Sequence, residues 1–399
     1  MVDQFVTLIK KNFFLIGVTA FPGLHKLALL FVVNQVDSVD GTADFISDIF
    51  ILYFLGYYTV FNWSNFILAD MIKLPEQSHV SFFGKIAGLS LIYNVPVLIV
   101  LFILFRLEWL TDFFGFALFI LTWSYHQLWR HFFIAKKLYN LLFFTDVVVL
   151  ILSLISIIVG HEYGVNRYFI MSIPVLIVPI LFKYLPPILA RKKMSIRVFK
   201  KAMNYTLINM STGGIQLIFA PLSHQLLTAE LTRIIGFTTN FASVVLLIPR
   251  ALSFQFIPQL SDRLRRNKKQ CADLFLLFSQ KINQSILAML VVGILTGFFI
   301  WITWFELPFE MIILSFMVYI NLLLGQLAAP SSNVLVVLSQ SNYLLKVNVV
   351  SFIIVVLQIF LMLSAHLDPL VKMYIIIGFN VLVGVLRFLW LRSYVSRLI

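Results

Sequence analysis

Ionisable side chains stand deep within three stretches otherwise too apolar to carry charge. Lys26, with His25 beside it, falls near the middle of the apolar run 13–36. Arg250 follows Pro249, about ten residues from the inner end of the run 234–260, and Asp146 lies some eight residues into 138–159. A charge at the centre of a bilayer costs about 2.5–3.5 kcal/mol even on the lenient insertion scale, so such groups face a protein interior or a wet cavity. At about 1.5 Å per residue, Lys26 lies roughly 20 Å from the inner end of its run, too deep to snorkel with ease. Buried cations at this depth can hold an anionic group, and arginine can do so with a bidentate fork. Asp146 admits two readings: a site for a coupling cation, or one half of an ion pair with a basic residue on a neighbouring helix. Lys85, Lys183, Lys281 and Arg387 lie nearer the inner ends of their runs and are expected to snorkel. His126 and Arg130, four apart, share a helical face that could line a cavity or anchor at the interface.

The elements that must position these groups are membrane spans. The chain of 399 residues is 61% hydrophobic and 12% charged, with mean hydropathy +0.97, which excludes an ordinary soluble domain. Twelve runs of the length a hydrocarbon core of about 30 Å requires are predicted at 13–36, 45–68, 82–105, 113–133, 138–159, 168–190, 202–227, 234–260, 281–304, 309–338, 345–363 and 370–391. Residues 272–280 read as an interfacial helix leading into the ninth. The net charge of +13 gathers in short loops on one side, with only Arg106, Arg167, Arg233 and Lys372 in outer turns. That asymmetry predicts both termini in the cytoplasm and argues against nucleic acid as the partner. The first run contains Lys26 and has no small-residue cleavage site, so it is expected to be retained. The single cysteine, Cys271, excludes an internal disulfide framework. The seven histidines are scattered without metal-ligand spacing, and no Gly-Lys-Ser/Thr phosphate loop occurs, so neither a metal, a cofactor nor an intrinsic ATPase is expected.

The stretch Arg191–Lys201 carries six of the 30 Lys and Arg residues and lies near the midpoint. With Ile196, Phe199 and Met203 on one face, it suits a helix lying on the cytoplasmic membrane surface. It divides the chain into an N-terminal six-helix bundle (1–190), a basic linker helix (191–201) and a C-terminal six-helix bundle (202–399). The first helix of each half carries helix-breaking residues: Gly17, Pro22 and Gly23 in one, Gly213, Gly214 and Pro221 in the other. Matched broken helices in two halves are the sequence pointer to a translocation site.

The run Pro249-Arg-Ala-Leu-Ser-Phe-Gln-Phe-Ile-Pro258-Gln-Leu-Ser-Asp262-Arg-Leu is similar to the end of the eighth helix in the multidrug/oligosaccharidyl-lipid/polysaccharide (MOP) exporter superfamily. The short polar turn Ser339–Tyr343 and the six-plus-six plan resemble that superfamily as well. The glycine-rich turn usual between its first two helices is represented only by Asp40-Gly41. The resemblance implies an all-α polytopic fold, two six-helix bundles around a central cavity. Length and span number point to the branch of bacterial polysaccharide-unit flippases, which move undecaprenyl-diphosphate-linked oligosaccharide across the inner membrane. On that reading Lys26, His25 and Arg250 serve the diphosphate. Tyr58, Asn62, Asn209, Gln216 and Asn240, with Tyr57 and Trp63, offer contacts to sugars. Membrane lipids, a polysaccharide polymerase and a chain-length regulator are the implied partners. A multidrug extruder of the same superfamily, coupled to H⁺ or Na⁺ through Asp146, is the alternative. A membrane-embedded glycan-modifying enzyme fits less well, because the outer turns are short.

Overall fold

The computed structural model describes all residues except 1, 70, 72–73, 182–201, 205, 209, 250–251, 254–255, 257–258, 261–262, 264–267, 304–307 and 339. The expected linker helix and part of the sixth, seventh and eighth spans lie outside the described residues. Among the described residues the protein is helical, with no strand. The helices are α1 (Val2–Val36), α2 (Val39–Gly56), α3 (Asn62–Ala69), α4 (His79–Arg106), α5 (Phe113–Ala135), α6 (Tyr139–Glu162) and α7 (Arg167–Leu181). After the undescribed stretch come α8 (Phe219–Leu226), α9 (Ala229–Val245), α10 (Lys268–Thr303), α11 (Phe309–Leu324), α12 (Ala329–Val337), α13 (Ser341–Ser364) and α14 (Pro369–Leu398). Nine segments among the described residues are long and apolar enough to cross a membrane. The chain is an all-α, multi-pass membrane protein.

Unlike the helices of a soluble protein, these are apolar on the outward face as well as the buried one. On α4, Phe83, Ile86, Ala87, Ser90, Tyr93, Asn94, Val97 and Leu101 are buried at three- and four-residue steps, while Ile92, Val95, Ile99, Phe102 and Ile103 are exposed. Exposed apolar side chains in such numbers suit a hydrocarbon solvent. Between helices in lipid there is little hydrophobic drive, so close packing and polar contacts set the neighbours. The α5 helix has membrane length but stays outside the nine, because His126, Gln127, Arg130 and His131 lower its hydropathy. All but the last of those four are buried.

The chain forms two compact units, Met1–Met210 with Ala220–Gln225, and Ser211–Phe219 with Leu226–Ile399. In the first, α1 packs on α6, and α7 packs on both α5 and α6. Polar contacts tie one set of helix ends together. Asp112 caps α5 by accepting from the backbone N–H groups of Phe114 (3.2 Å) and Gly115 (2.7 Å), and it also accepts from Asn166 (2.9 Å). Arg167 donates to Asp37 at 2.7 Å, and Asp48 accepts from Thr111 (2.9 Å) and from the Tyr168 hydroxyl. Ser38 caps α2 through Gly41 N–H at 3.0 Å. Helix formation therefore begins at Val39, and Asp40 and Asp44 lie inside α2 and not in the expected outer turn.

Three expectations are corrected. The first helix does not break at Gly17, Pro22 or Gly23: α1 is continuous, with Pro22 inside it. Gly17 serves instead as a seat for a neighbour, since a Cβ there would come within 2.7 Å of the Phe143 ring on α6. The break in the first half falls in the second span, where a π turn (Tyr57–Phe61) separates α2 from α3. Residues 272–280 are not a separate interfacial helix either. They belong to α10, whose buried stripe Cys271, Leu274, Phe275, Phe278, Ile282, Ile286 and Met289 runs on with no Gly or Pro to interrupt it. At about 1.5 Å per residue, a helix of 36 residues is roughly 54 Å long and outreaches the bilayer core. Arg387, expected to snorkel, is buried. The broken character expected of the seventh span is present: a π turn (Met210–Gly214) and the short turn Ile215–Leu217 precede α8.

In the second unit α10 packs on α11, and α11 on α9 and α14. A Cβ built on Gly293 of α10 would overlap the Tyr319 ring, and the Tyr319 hydroxyl donates to Met289 O at 2.8 Å. Gly293→Ala is therefore expected to displace Tyr319 and leave its hydroxyl unpaired, costing about 1–3 kcal/mol. Tyr319→Phe, which keeps the ring, is expected to cost about 1 kcal/mol. Thermal unfolding of the two purified variants measures the difference.

Candidate polar site in the membrane interior

The π turn Tyr57–Phe61 and the proline in α1 each disturb a backbone ladder, and polar side chains gather at both. A helical proline cannot donate to the carbonyl four residues back. For Pro22 that carbonyl belongs to Val18, and Arg130 of α5 donates Nη2 to Val18 O at 2.9 Å. In hydrocarbon an open carbonyl has no water to turn to, so this bond explains how α1 continues through the proline. The same guanidinium grips Asp146 of α6 with two parallel bonds, Nε to Oδ1 at 2.8 Å and Nη2 to Oδ2 at 2.9 Å. Nη1 donates to Gln127 Oε1 at 3.3 Å, and Cζ lies 5.9 Å from the Phe21 ring centre. Arg130 and Asp146 are 3% and 0% exposed, so the pair joins α1, α5 and α6 without solvent. Asp146 is thus ion-paired with a basic residue on a neighbouring helix.

Lys26 lies one turn along α1 from Pro22. Its Nζ sits 3.3 Å from the centre of the Tyr53 ring on α2, an attraction of cation for aromatic face, and Tyr53 packs on Trp123 at 5.6 Å between ring centres. His25 stacks on Phe21 at 5.7 Å, and its Nε2 is buried with no hydrogen-bond partner. Phe21 thus touches both His25 and Arg130, making one cluster of His25, Lys26, Arg130 and Asp146.

The remaining expected site residues are distributed elsewhere. Tyr58, half-buried in the π turn, packs on Tyr93 of α4 at 5.2 Å between ring centres, and Trp63 meets Tyr93 edge-on at 5.0 Å. In the same turn Thr59 O accepts from Ser90 (2.7 Å), and its hydroxyl lies 3.1 Å from that of Ser124. In the second unit Asn240 is buried and donates to Gly236 O at 3.0 Å within its own helix. Gln216 is half-buried and lines a cavity with Asn321, Asn380 and Arg387. Arg250 and Asn209 lie outside the described residues, as does the side chain of Asn62. Sequence reasoning missed Arg130 as the centre of the first cluster, although Pro22 marks Val18 as a carbonyl needing a donor.

No family model matches the chain, and no curated protein does. Solved structures match it over nearly its whole length. A MATE protein in the bent conformation aligns with TM-score 0.64 at 14% identity, covering 98% of this chain and 95% of the other. An inward-facing multidrug resistance MATE family transporter of the MOP superfamily gives TM-score 0.61 at 13% identity, covering 97% and 95%. A MATE transporter of Vibrio cholerae in the bent form gives 0.55 at 13%, covering 97% of each chain. The chain therefore has the fold of MATE transporters of the MOP superfamily.

Proposed function

We propose that this protein is a transporter that carries an amphiphilic cargo across a bacterial cytoplasmic membrane by alternating access, with both termini inside. The observation that carries the reading is the end-to-end likeness to transporters at TM-scores of about 0.6. For the cargo, that likeness favours multidrug extrusion, since the neighbours whose descriptions state a role are multidrug resistance transporters. Coupling to H⁺ or Na⁺ belongs to that reading. Asp146 could take part in it only by leaving Arg130.

Export of a polyprenyl-diphosphate-linked oligosaccharide is the second reading, and one observation favours it. In the first cluster the half-buried Lys26 cation is seated on an aromatic face, whereas the carboxylate of Asp146 is already engaged by Arg130. A cationic drug would have to displace Arg130 to reach the Asp146 carboxylate, whereas Lys26 brings a cation to the same cluster. Proteoliposomes carrying the purified protein separate the readings. Gradient-driven movement of a cationic dye, with none of a fluorescent polyprenyl-diphosphate glycan, is the result expected of an extruder. The opposite pattern establishes the flippase, and movement of neither overturns the transport proposal.

A further inference from the structure

The second unit holds a polar cavity of its own, lined by the broken stretch before α8 and by α11, α13 and α14. Its volume is about 30 Å³, and Ser211, Gln216, Asn321, Ser351, Asn380 and Arg387 supply its polar lining. Among the described residues lining it, none is acidic. Arg387 is only 9% exposed, and its Nε has no hydrogen-bond partner. Asn380 donates Nδ2 to Asn321 Oδ1 at 3.1 Å, which uses the acceptor of Asn321 and leaves its buried Nδ2 without a partner. Two residues that line the cavity thus each hold a buried donor without a hydrogen-bond partner, Arg387 Nε and Asn321 Nδ2. The wall has room beside them, for a Cβ added at Gly384 would meet no atom within 4 Å.

A buried cation with no counter-charge is costly in a low dielectric and is retained where something neutralises it. About 10–15 Å³ suffices for one water, so this cavity has room for a small ion. We propose that it binds a small monovalent anion of the halide class, held by Arg387 and the Asn321 amide. This site lies wholly within the second unit and does not depend on which cargo the transporter carries.

Thermal unfolding of the purified protein tests it as sodium gluconate is exchanged for sodium chloride at constant ionic strength. A saturable rise in unfolding temperature is expected, because a ligand at 100 times its Kd raises the folded-to-unfolded ratio about 100-fold. Bromide should replace chloride, and phosphate should not. In Arg387→Met, which removes the charge and keeps the bulk, the chloride dependence should vanish. If that variant does not fold, bromide-soaked crystals of the native chain decide, with an anomalous peak expected at Arg387. Unfolding indifferent to chloride, chloride dependence surviving in Arg387→Met, stabilisation by phosphate alone, or bromide absent from Arg387 in those crystals each overturns the proposal.

Discussion

Replacing Asp146 with leucine is expected to destabilise the protein by about 3–5 kcal/mol, because it leaves the Arg130 guanidinium buried without its counter-charge. Arg130→Met is expected to cost at least as much. It strands the Asp146 carboxylate and also opens Val18 O, whose usual donor Pro22 has removed. The double variant should recover most of the loss, since replacing a buried pair by apolar side chains is often neutral or better. What remains should be the price of one open carbonyl, about 1–3 kcal/mol. Adding Pro22→Ala to the double variant supplies an N–H to Val18 O and should recover that remainder. Unfolding of the four purified variants in detergent gives the cycle. A loss in the double variant equal to the sum of the two single losses would show that the two residues act separately, and no gain from Pro22→Ala would remove the carbonyl from the account.

Changing Lys26 to methionine is expected to alter transport in opposite directions for the two cargo classes. An anionic head group that depends on this cation loses a charge-assisted contact of about 1.5–3 kcal/mol, which is roughly a 10- to 100-fold loss of affinity. A cationic dye has nothing to lose and gains from the removal of a repulsive charge. Tyr53→Leu keeps the charge but removes the ring beneath it, a contact worth about 0.5–2 kcal/mol, and so should weaken the seat without reversing the preference. Titration of both ligands against native protein and the two variants reads the sign directly. Identical affinities in all three would exclude Lys26 from either cargo path.

Most span positions were legible in the sequence because a bilayer imposes length and hydropathy together, as in α4, α6 and α13. Even α5, with four polar residues in two turns, was found from its apolar flanks. The internal break was misplaced because a proline reports only that a bond is missing from its own ladder. Whether the helix bends depends on a donor from elsewhere, and Arg130 lies 112 residues from Val18. The place of Arg387 along its run was readable, but its burial was not. Apolar residues surround it on α14, and only the partner helices decide which face is turned inward. Lys26 stands out in the sequence as a cation within an apolar run, while the aromatic face beneath it became visible only when α2 was packed against α1.

The bond from Arg130 to Val18 also gives the first helix a dependence on the order of synthesis. Residue 18 leaves the ribosome well before residue 130, and at about 5–20 residues per second the delay is roughly 6–20 s. Throughout that interval the opening at Pro22 has to be covered by the insertion machinery, by water or by lipid head groups, and by nothing of the protein's own. The helix that enters first is therefore completed late. Shortened chains ending before Phe113 should leave α1 open to membrane quality control, whereas chains reaching past Glu162 carry the means to close it.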